Sequence, residues 1–121
     1  MKRIFLIACG LLLGGCAHRP VLYEWGGYDE LLYQSYETPE AAATAREKLQ
    51  AHIAGLEQTR QKVAPGLYAE LGTFYLQGGD SARAVSFYAK ERDAWPESRA
   101  LMDALIGNLG KAKTVDAGGK S

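Results

Sequence analysis

Two successive amphipathic segments in the second half of the chain place the strongest restriction on its fold. Pro65-Gly66 and Gly78-Gly79 are turn signals, and the apolar residues between and after them recur three and four positions apart. This pattern predicts a helix over 67–77 and a second helix over 81–95, with Asp80 as the cap of the second. Because a short connection makes the two helices antiparallel neighbours, this part of the chain is predicted to be all-α.

The small and large residues of positions 65–98 resemble the tetratricopeptide repeat, which has the same length of 34 residues. The positions that fit the repeat are Tyr68, Leu71, Gly72, Tyr75, Ala84, Tyr88 and Pro96. Gly72 and Ala84 are small where the repeat's two helices cross closely. Glu91 departs from the pattern, since the repeat usually has a small residue there, and it predicts looser packing onto the next helix. A generic helical hairpin is the alternative, with nearly the same fold.

A weaker copy of this pattern lies upstream and extends the array. The spacing of Leu71, Tyr75, Ala84 and Tyr88 recurs 39 positions earlier at Leu32, Tyr36, Ala45 and Leu49. Helices are therefore predicted over 29–36 and over 39–63, the second beginning at Thr38-Pro39. A last helix over 97–109, closed by Gly110, gives about five helices in a short tetratricopeptide-like array over 23–110. Residues 111–121 are predicted to form a disordered tail.

The N-terminus predicts export and lipidation. A short basic start precedes an almost wholly apolar run over 4–13. At about 1.5 Å per residue this run is too short to cross a bilayer core of about 30 Å, so residues 1–15 are predicted to be a signal peptide. The run ends in Leu13-Gly14-Gly15-Cys16, a bacterial lipobox, which predicts a lipid on Cys16 and a tether over 16–22. An ordinary secretory signal with an incidental cysteine is the alternative.

The residue after the lipobox cysteine bears on location. In lipoproteins similar to those of enterobacteria, an aspartate at this position goes with retention at the inner membrane. This chain has Ala17 there instead. The protein is therefore predicted at the outer membrane, held by the lipid on Cys16 and facing the periplasm. Three acyl chains would make that attachment effectively permanent, because each buried CH₂ adds about 0.8 kcal/mol.

Aromatic residues crowd the stretch that follows the tether. Five fall within fourteen positions, namely Tyr23, Trp25, Tyr28, Tyr33 and Tyr36. Two and a half repeats fall short of the roughly three that a solenoid needs, so either these aromatics fold back onto the array or a partner covers an open face. Trp and Tyr are also enriched in interface hot spots, and a core role and a partner-binding role both remain open at this stage.

Charge, cysteine and histidine content argue against catalysis and against nucleic-acid binding. Fourteen basic and fourteen acidic residues give a net charge of zero, which provides no basic footprint for nucleic acid. Both cysteines lie within the first sixteen residues, so the folded body has no disulfide framework and no thiol nucleophile. His52 falls on the apolar stripe of the long helix and is predicted to pack there. We therefore expect no enzyme, no cofactor, no metal site and no small-molecule substrate.

Taken together, the lipobox, the Trp25-Gly26-Gly27-Tyr28 segment, the run Asp29 to Tyr33 and the repeat resemble an uncharacterised family of small Gram-negative lipoproteins. Members of that family are typically encoded beside a curli-secretion-channel-like (CsgG-like) lipoprotein. The resemblance implies a scaffold or assembly role with other envelope lipoproteins, and no catalytic residues. A pilotin-like chaperone of a secretin or pilus component and a regulator of a peptidoglycan enzyme are the alternatives.

Overall fold

The computed structural model describes residues 22–118, which form five α-helices, one 3-10 turn and no strand. The helices are α1 (Tyr28–Ser35), α2 (Pro39–Gln58), α3 (Leu67–Gln77), α4 (Ser81–Ala94) and α5 (Arg99–Gly118), with the 3-10 turn over Pro96–Ser98. The predicted all-α array is confirmed. The predicted signal peptide, Cys16 and the tether up to residue 21 lie outside the described residues.

Two helix starts follow from side-chain caps that the sequence predicts. Thr38 accepts the backbone N–H of Ala41 through its hydroxyl at 3.0 Å, and Pro39 takes the first helical position of α2. The Asp80 carboxylate accepts the N–H of Arg83 at 3.0 Å at the start of α4. Each cap satisfies a backbone donor that the first turn of a helix leaves without a partner.

The helices pack in chain order, each against the next, as in a repeat array. The core is a continuous set of buried side chains from α2, α3, α4 and the start of α5, including Leu49, Leu67, Leu71, Tyr88 and Met102. α1 adds half-buried side chains to one edge of this core. The array therefore has two ends, one formed by the N-terminal segment with α1 and the other by α5.

The crossing of α3 and α4 depends on Gly72. A Cβ atom at this position would lie 2.8 Å from Cε1 of Tyr88 and 3.1 Å from the carbonyl oxygen of Ala84. Ala84 is itself fully buried. Since real Cβ atoms do not approach ring carbons this closely, the absence of a side chain is what allows the two helices to meet here.

Glu91 ties three segments together, and the prediction of looser packing at this position is wrong. Its side chain is fully buried on α4. Oε1 accepts the backbone N–H of Gly66 at 2.8 Å and the hydroxyl of Ser98 at 3.1 Å. The carboxylate therefore joins the loop before α3 and the 3-10 turn after α4, where a small residue would leave both donors without it.

Two helix ends differ from the sequence prediction. α2 ends at Gln58 instead of near residue 63, because Arg60 takes the left-handed conformation with φ of 56°. α5 runs to Gly118, so the predicted end at Gly110 and the disordered tail are wrong for 111–118. Gly110 has no positive φ, and an interior glycine costs a helix only about 1 kcal/mol unless its backbone turns left-handed.

Candidate interaction surface

The segment before α1 lies on α2 through His52. Nε2 of His52 is 2.8 Å from the carbonyl oxygen of Glu24, a hydrogen bond that spans 28 residues of sequence. The His52 ring also packs on Gly26, where a Cβ atom would lie only 2.7 Å from Nδ1. Gly26 has φ of 62°, so glycine is favoured there for both its conformation and its lack of a side chain. The half-buried His52 thus packs against the chain, as its place on the apolar stripe suggests.

Two of the five predicted partner-binding aromatics belong to the fold. The ring of Tyr23 meets that of Trp95 edge-on, with centroids 5.5 Å apart, and Nζ of Lys62 lies 3.7 Å from the centroid of the Trp95 ring. Tyr28 packs half-buried against the core. Its enclosed hydroxyl faces the Glu70 carboxylate outside hydrogen-bonding geometry, and burial together with Glu70 raises the pKa of Tyr28.

The other three aromatics are exposed at the same end of the chain. Trp25 is 42% exposed, Tyr33 68% and Tyr36 80%. With Leu22 they make up four of the five exposed large hydrophobic side chains in residues 22–113, and Leu101 on α5 is the fifth. Singly exposed hydrophobic side chains are ordinary, but such a concentration makes this end of the chain a candidate interaction surface. The sequence prediction omitted Leu22, although its apolar character beside the aromatics was a signal.

The seven repeat positions are brought together, six of them in the core. Tyr68, Leu71, Gly72, Tyr75, Ala84 and Tyr88 are buried, whereas Pro96 is exposed and opens the 3-10 turn after α4. The tyrosine hydroxyls reach polar partners at the edge of the core. The Tyr68 hydroxyl donates to Glu57 at 2.8 Å, and the Tyr88 hydroxyl is 3.1 Å from the hydroxyl of Thr73. These residues hold the array together, which fits a packing role.

Arginine side chains gather around Tyr75, a feature that the sequence prediction missed. The guanidinium carbons of Arg46 and Arg83 lie 5.7 and 5.1 Å from the centroid of the Tyr75 ring. Arg83 also pairs with Asp80 at 3.3 Å, and the Tyr75 hydroxyl donates to Gln50. These residues line an open cavity of about 400 Å³. No local pattern reveals it, because its residues come from both helix pairs.

A second, larger cavity lies between the start of α4 and the later part of α5. It has a volume of about 960 Å³, and Val85, Ile106 and Leu109 give it an apolar lining. No group of three or more His, Cys, Asp or Glu side chains suited to a metal ion occurs within residues 22–113. None of the helices described there is both long and apolar enough to cross a membrane.

Comparison with known proteins adds a family assignment. No curated protein and no solved structure matches the chain significantly. A family defined as a domain of unknown function, DUF4810, matches residues 22–105, which include α1 to α4 and the first turns of α5. Since this match covers more than half of the sequence, the chain belongs to the uncharacterised DUF4810 family.

Proposed function

We propose that this protein is a lipid-anchored envelope protein of Gram-negative bacteria that assembles with another protein and has no catalytic activity of its own. The observation that carries the proposal is the set of exposed aromatics Trp25, Tyr33 and Tyr36 at the end of the array that follows the lipobox. Large aromatic rings bury a wide area at low entropic cost when they bind a partner. A binding role therefore accounts for their exposure in a chain this small.

The proposed anchor places this surface close to the membrane. Leu22 lies only six positions after Cys16, and an extended chain covers at most about 3.6 Å per residue, so the tether reaches no more than about 22 Å. A partner bound through the aromatics is therefore within reach of the outer membrane. Another envelope lipoprotein, such as the CsgG-like lipoprotein that the family resemblance suggests, meets this condition.

The non-enzymatic role is supported by the arrangement of the polar side chains. His52 is the one histidine in residues 22–118, and its Nε2 is engaged with the Glu24 carbonyl. Glu91 is enclosed and bound to Gly66 and Ser98. Nucleophilic and acid–base catalysis need a nucleophile and a base within reach of each other and of a substrate, and neither residue meets that need.

The anchor is tested with Cys16→Ser. We expect metabolic labelling with a fatty acid to mark the wild-type protein and not this variant, and the variant to appear in the soluble periplasm. Cys9→Ser is the matched control, since Cys9 is the other cysteine of the chain. Equal labelling of wild type and Cys16→Ser would refute the anchor.

The assembly role is tested by pull-down from crosslinked envelopes. We expect Trp25→Ala to remove the captured partner, because truncating a hot-spot side chain costs about 2 kcal/mol, or about thirtyfold in affinity. Leu101→Ala is the control, as it truncates the exposed apolar residue at the other end of the array. Capture that neither substitution changes, or no specific capture by the wild type, would count against the proposal.

A further inference from the structure

The exposed side of α1 combines aromatic rings with carboxylates. Tyr28 and Leu31 pack against the core, and Leu32 and Ser35 are half-buried, whereas the other positions from 29 to 37 are exposed. Helical spacing places the exposed residues on one side, since positions three and four apart are neighbours. We name this surface the acidic aromatic face, and it consists of Asp29, Glu30, Tyr33, Tyr36 and Glu37.

The charge of this region is not balanced from within the chain. Positions 22–45 contain five acidic residues and no Lys, Arg or His, although the whole chain has equal numbers of acidic and basic residues. The ion pairs of Arg83, Lys90 and Arg92 all use acids from position 57 onward. On the acidic aromatic face, Glu30 accepts a hydrogen bond only from the neutral amide of Gln34 at 2.9 Å. A partner that fits this face therefore carries positive charge.

The second helix pair shows which cation suits such a tyrosine. Tyr75 lies 39 positions after Tyr36, at the matching place of the repeat spacing. There, Arg46 and Arg83 lie against the ring, and Arg83 is held by the carboxylate of Asp80 at the same time. Tyr36 has carboxylates nearby in sequence and no arginine. Arginine satisfies both groups, because its planar guanidinium stacks on rings and pairs with carboxylates.

We infer that the acidic aromatic face binds an arginine-bearing surface of the partner protein, with guanidinium groups against Tyr33 and Tyr36. This inference rests on the proposed assembly role. The carboxylates disfavour an anionic lipid surface at this face, since like charges repel. A lysine-bearing surface fits less well, because a strongly hydrated ammonium cannot stack as a guanidinium does. The partner is thus distinguished by the type of its basic residues as well as by its charge.

The test uses defined peptides, so it does not depend on finding the natural partner. Three alanine-based helical peptides of equal length carry arginine, lysine or glutamate on one face, and each is titrated into the full chain at physiological salt. We expect the arginine peptide to bind about tenfold more tightly than the lysine peptide, because guanidinium groups stack on aromatic rings, and the glutamate peptide not to bind. Backbone NMR shifts at positions 29–37 report whether binding occurs at the acidic aromatic face.

Variants separate the two components of the face. Tyr33→Ala combined with Tyr36→Ala is expected to remove the preference for arginine, whereas Asp29→Asn combined with Glu30→Gln is expected to weaken both basic peptides. The control is Glu47→Gln combined with Glu97→Gln, which neutralises exposed carboxylates elsewhere and is expected to change nothing. All substitutions are at exposed positions, and circular dichroism melts verify that each variant folds.

Several results would overturn the inference. These are equal affinity for the arginine and lysine peptides, shifts outside positions 29–37, or the same shifts with vesicles of anionic phospholipid in place of peptide. A concentration-dependent dimer that the face variants abolish would assign the face to a second copy of this chain. Because the peptides require neither an anchor nor an envelope, their failure beside successful envelope capture through Trp25 would refute this inference alone.

Discussion

The two helix pairs α1–α2 and α3–α4 share a sequence spacing, but the residues at the matching positions are buried to different degrees. Tyr75 is 6% exposed, whereas Tyr36, at the matching position 39 residues earlier, is 80% exposed. The second helices agree closely, since Ala45 and Leu49 are as buried as their counterparts in α4. The difference therefore lies in the first helices, and α1 has eight residues where α3 has eleven.

One position explains much of this difference. The residue 39 positions before Gly72 is Tyr33, and a tyrosine cannot occupy the close crossing that Gly72 permits between α3 and α4. Tyr33 is 68% exposed, so α1 contacts its neighbours through other residues such as Leu31. The size of the residue at the crossing therefore governs whether the aromatics of the first helix become core or surface.

Other features of the two pairs correspond although the residues differ. Gly27 and Gly66, 39 positions apart, each lie directly before the first helix of their pair. Both glycines have left-handed backbone conformation, with φ of 69° and 92°. His52 and Glu91 have the same separation and both bind the backbone just before the first helix of their pair. A polar side chain on the second helix thus fixes the entry of the first helix in both pairs.

The largest expected effect compares the two matching tyrosines. Tyr75→Ala should lower the free energy of unfolding by about 3–5 kcal/mol, because it empties a buried site between helices. Tyr36→Ala should change it by no more than about 0.5 kcal/mol, since its ring is exposed. Urea unfolding followed by circular dichroism measures both. Similar losses for the two variants would show that α1 buries its aromatics as α3 does.

The next effect compares the two polar contacts. Glu91→Ala should cost about 3 kcal/mol, because the Gly66 N–H and the Ser98 hydroxyl lose their acceptor inside the protein. His52→Ala should cost about 1 kcal/mol, since His52 is only half-buried and releases a backbone carbonyl that water can reach. The same unfolding measurement applies, with Ser98→Ala as the control that removes only one donor. A larger loss for His52→Ala would reverse the ranking of the two pairs.

Gly72→Ala tests the close crossing itself. Its Cβ would displace the Tyr88 ring or the helix, and overpacking of this kind costs roughly 1–3 kcal/mol. Gly55→Ala on α2 is the matched control, because a Cβ there meets nothing within 4 Å, and removing an interior glycine should stabilise the helix by up to about 1 kcal/mol. Thermal melts of the two variants should therefore shift in opposite directions.

The smallest expected effect depends on pH. The hydrogen bond from Lys90 to Glu57 at 2.8 Å lowers the pKa of the Glu57 carboxyl, with a further contribution from Tyr68. Because the pKa is lowered, the ionised Glu57 carboxylate stabilises the fold at pH values above the ordinary carboxyl pKa. This stabilisation is lost as the pH falls through the lowered pKa. Because both side chains are largely exposed, Lys90→Met should reduce stability at neutral pH by less than about 1 kcal/mol. The difference between variant and wild type should vanish in acid.

The sequence predicted the array where local chemistry decides structure. Thr38 and Asp80 act as caps, and Gly72 lies at a crossing, because each of these roles depends on a few neighbouring residues. The contacts of Glu91 and His52 escaped prediction, since their partners are backbone groups far along the chain. The sequence also could not predict which of the five aromatic side chains are buried and which are exposed. Their exposure depends on how α1 packs against its neighbours, and the periodicity of the sequence does not determine that packing.

The contact between Tyr23 and Trp95 affects the order in which the molecule forms. The ring that receives Tyr23 belongs to a residue at the end of α4, so the contact forms only once α4 is in place. Until then the stretch around Trp25 lacks its final support. The first segment of the described chain therefore depends on one of the later helices for its native position.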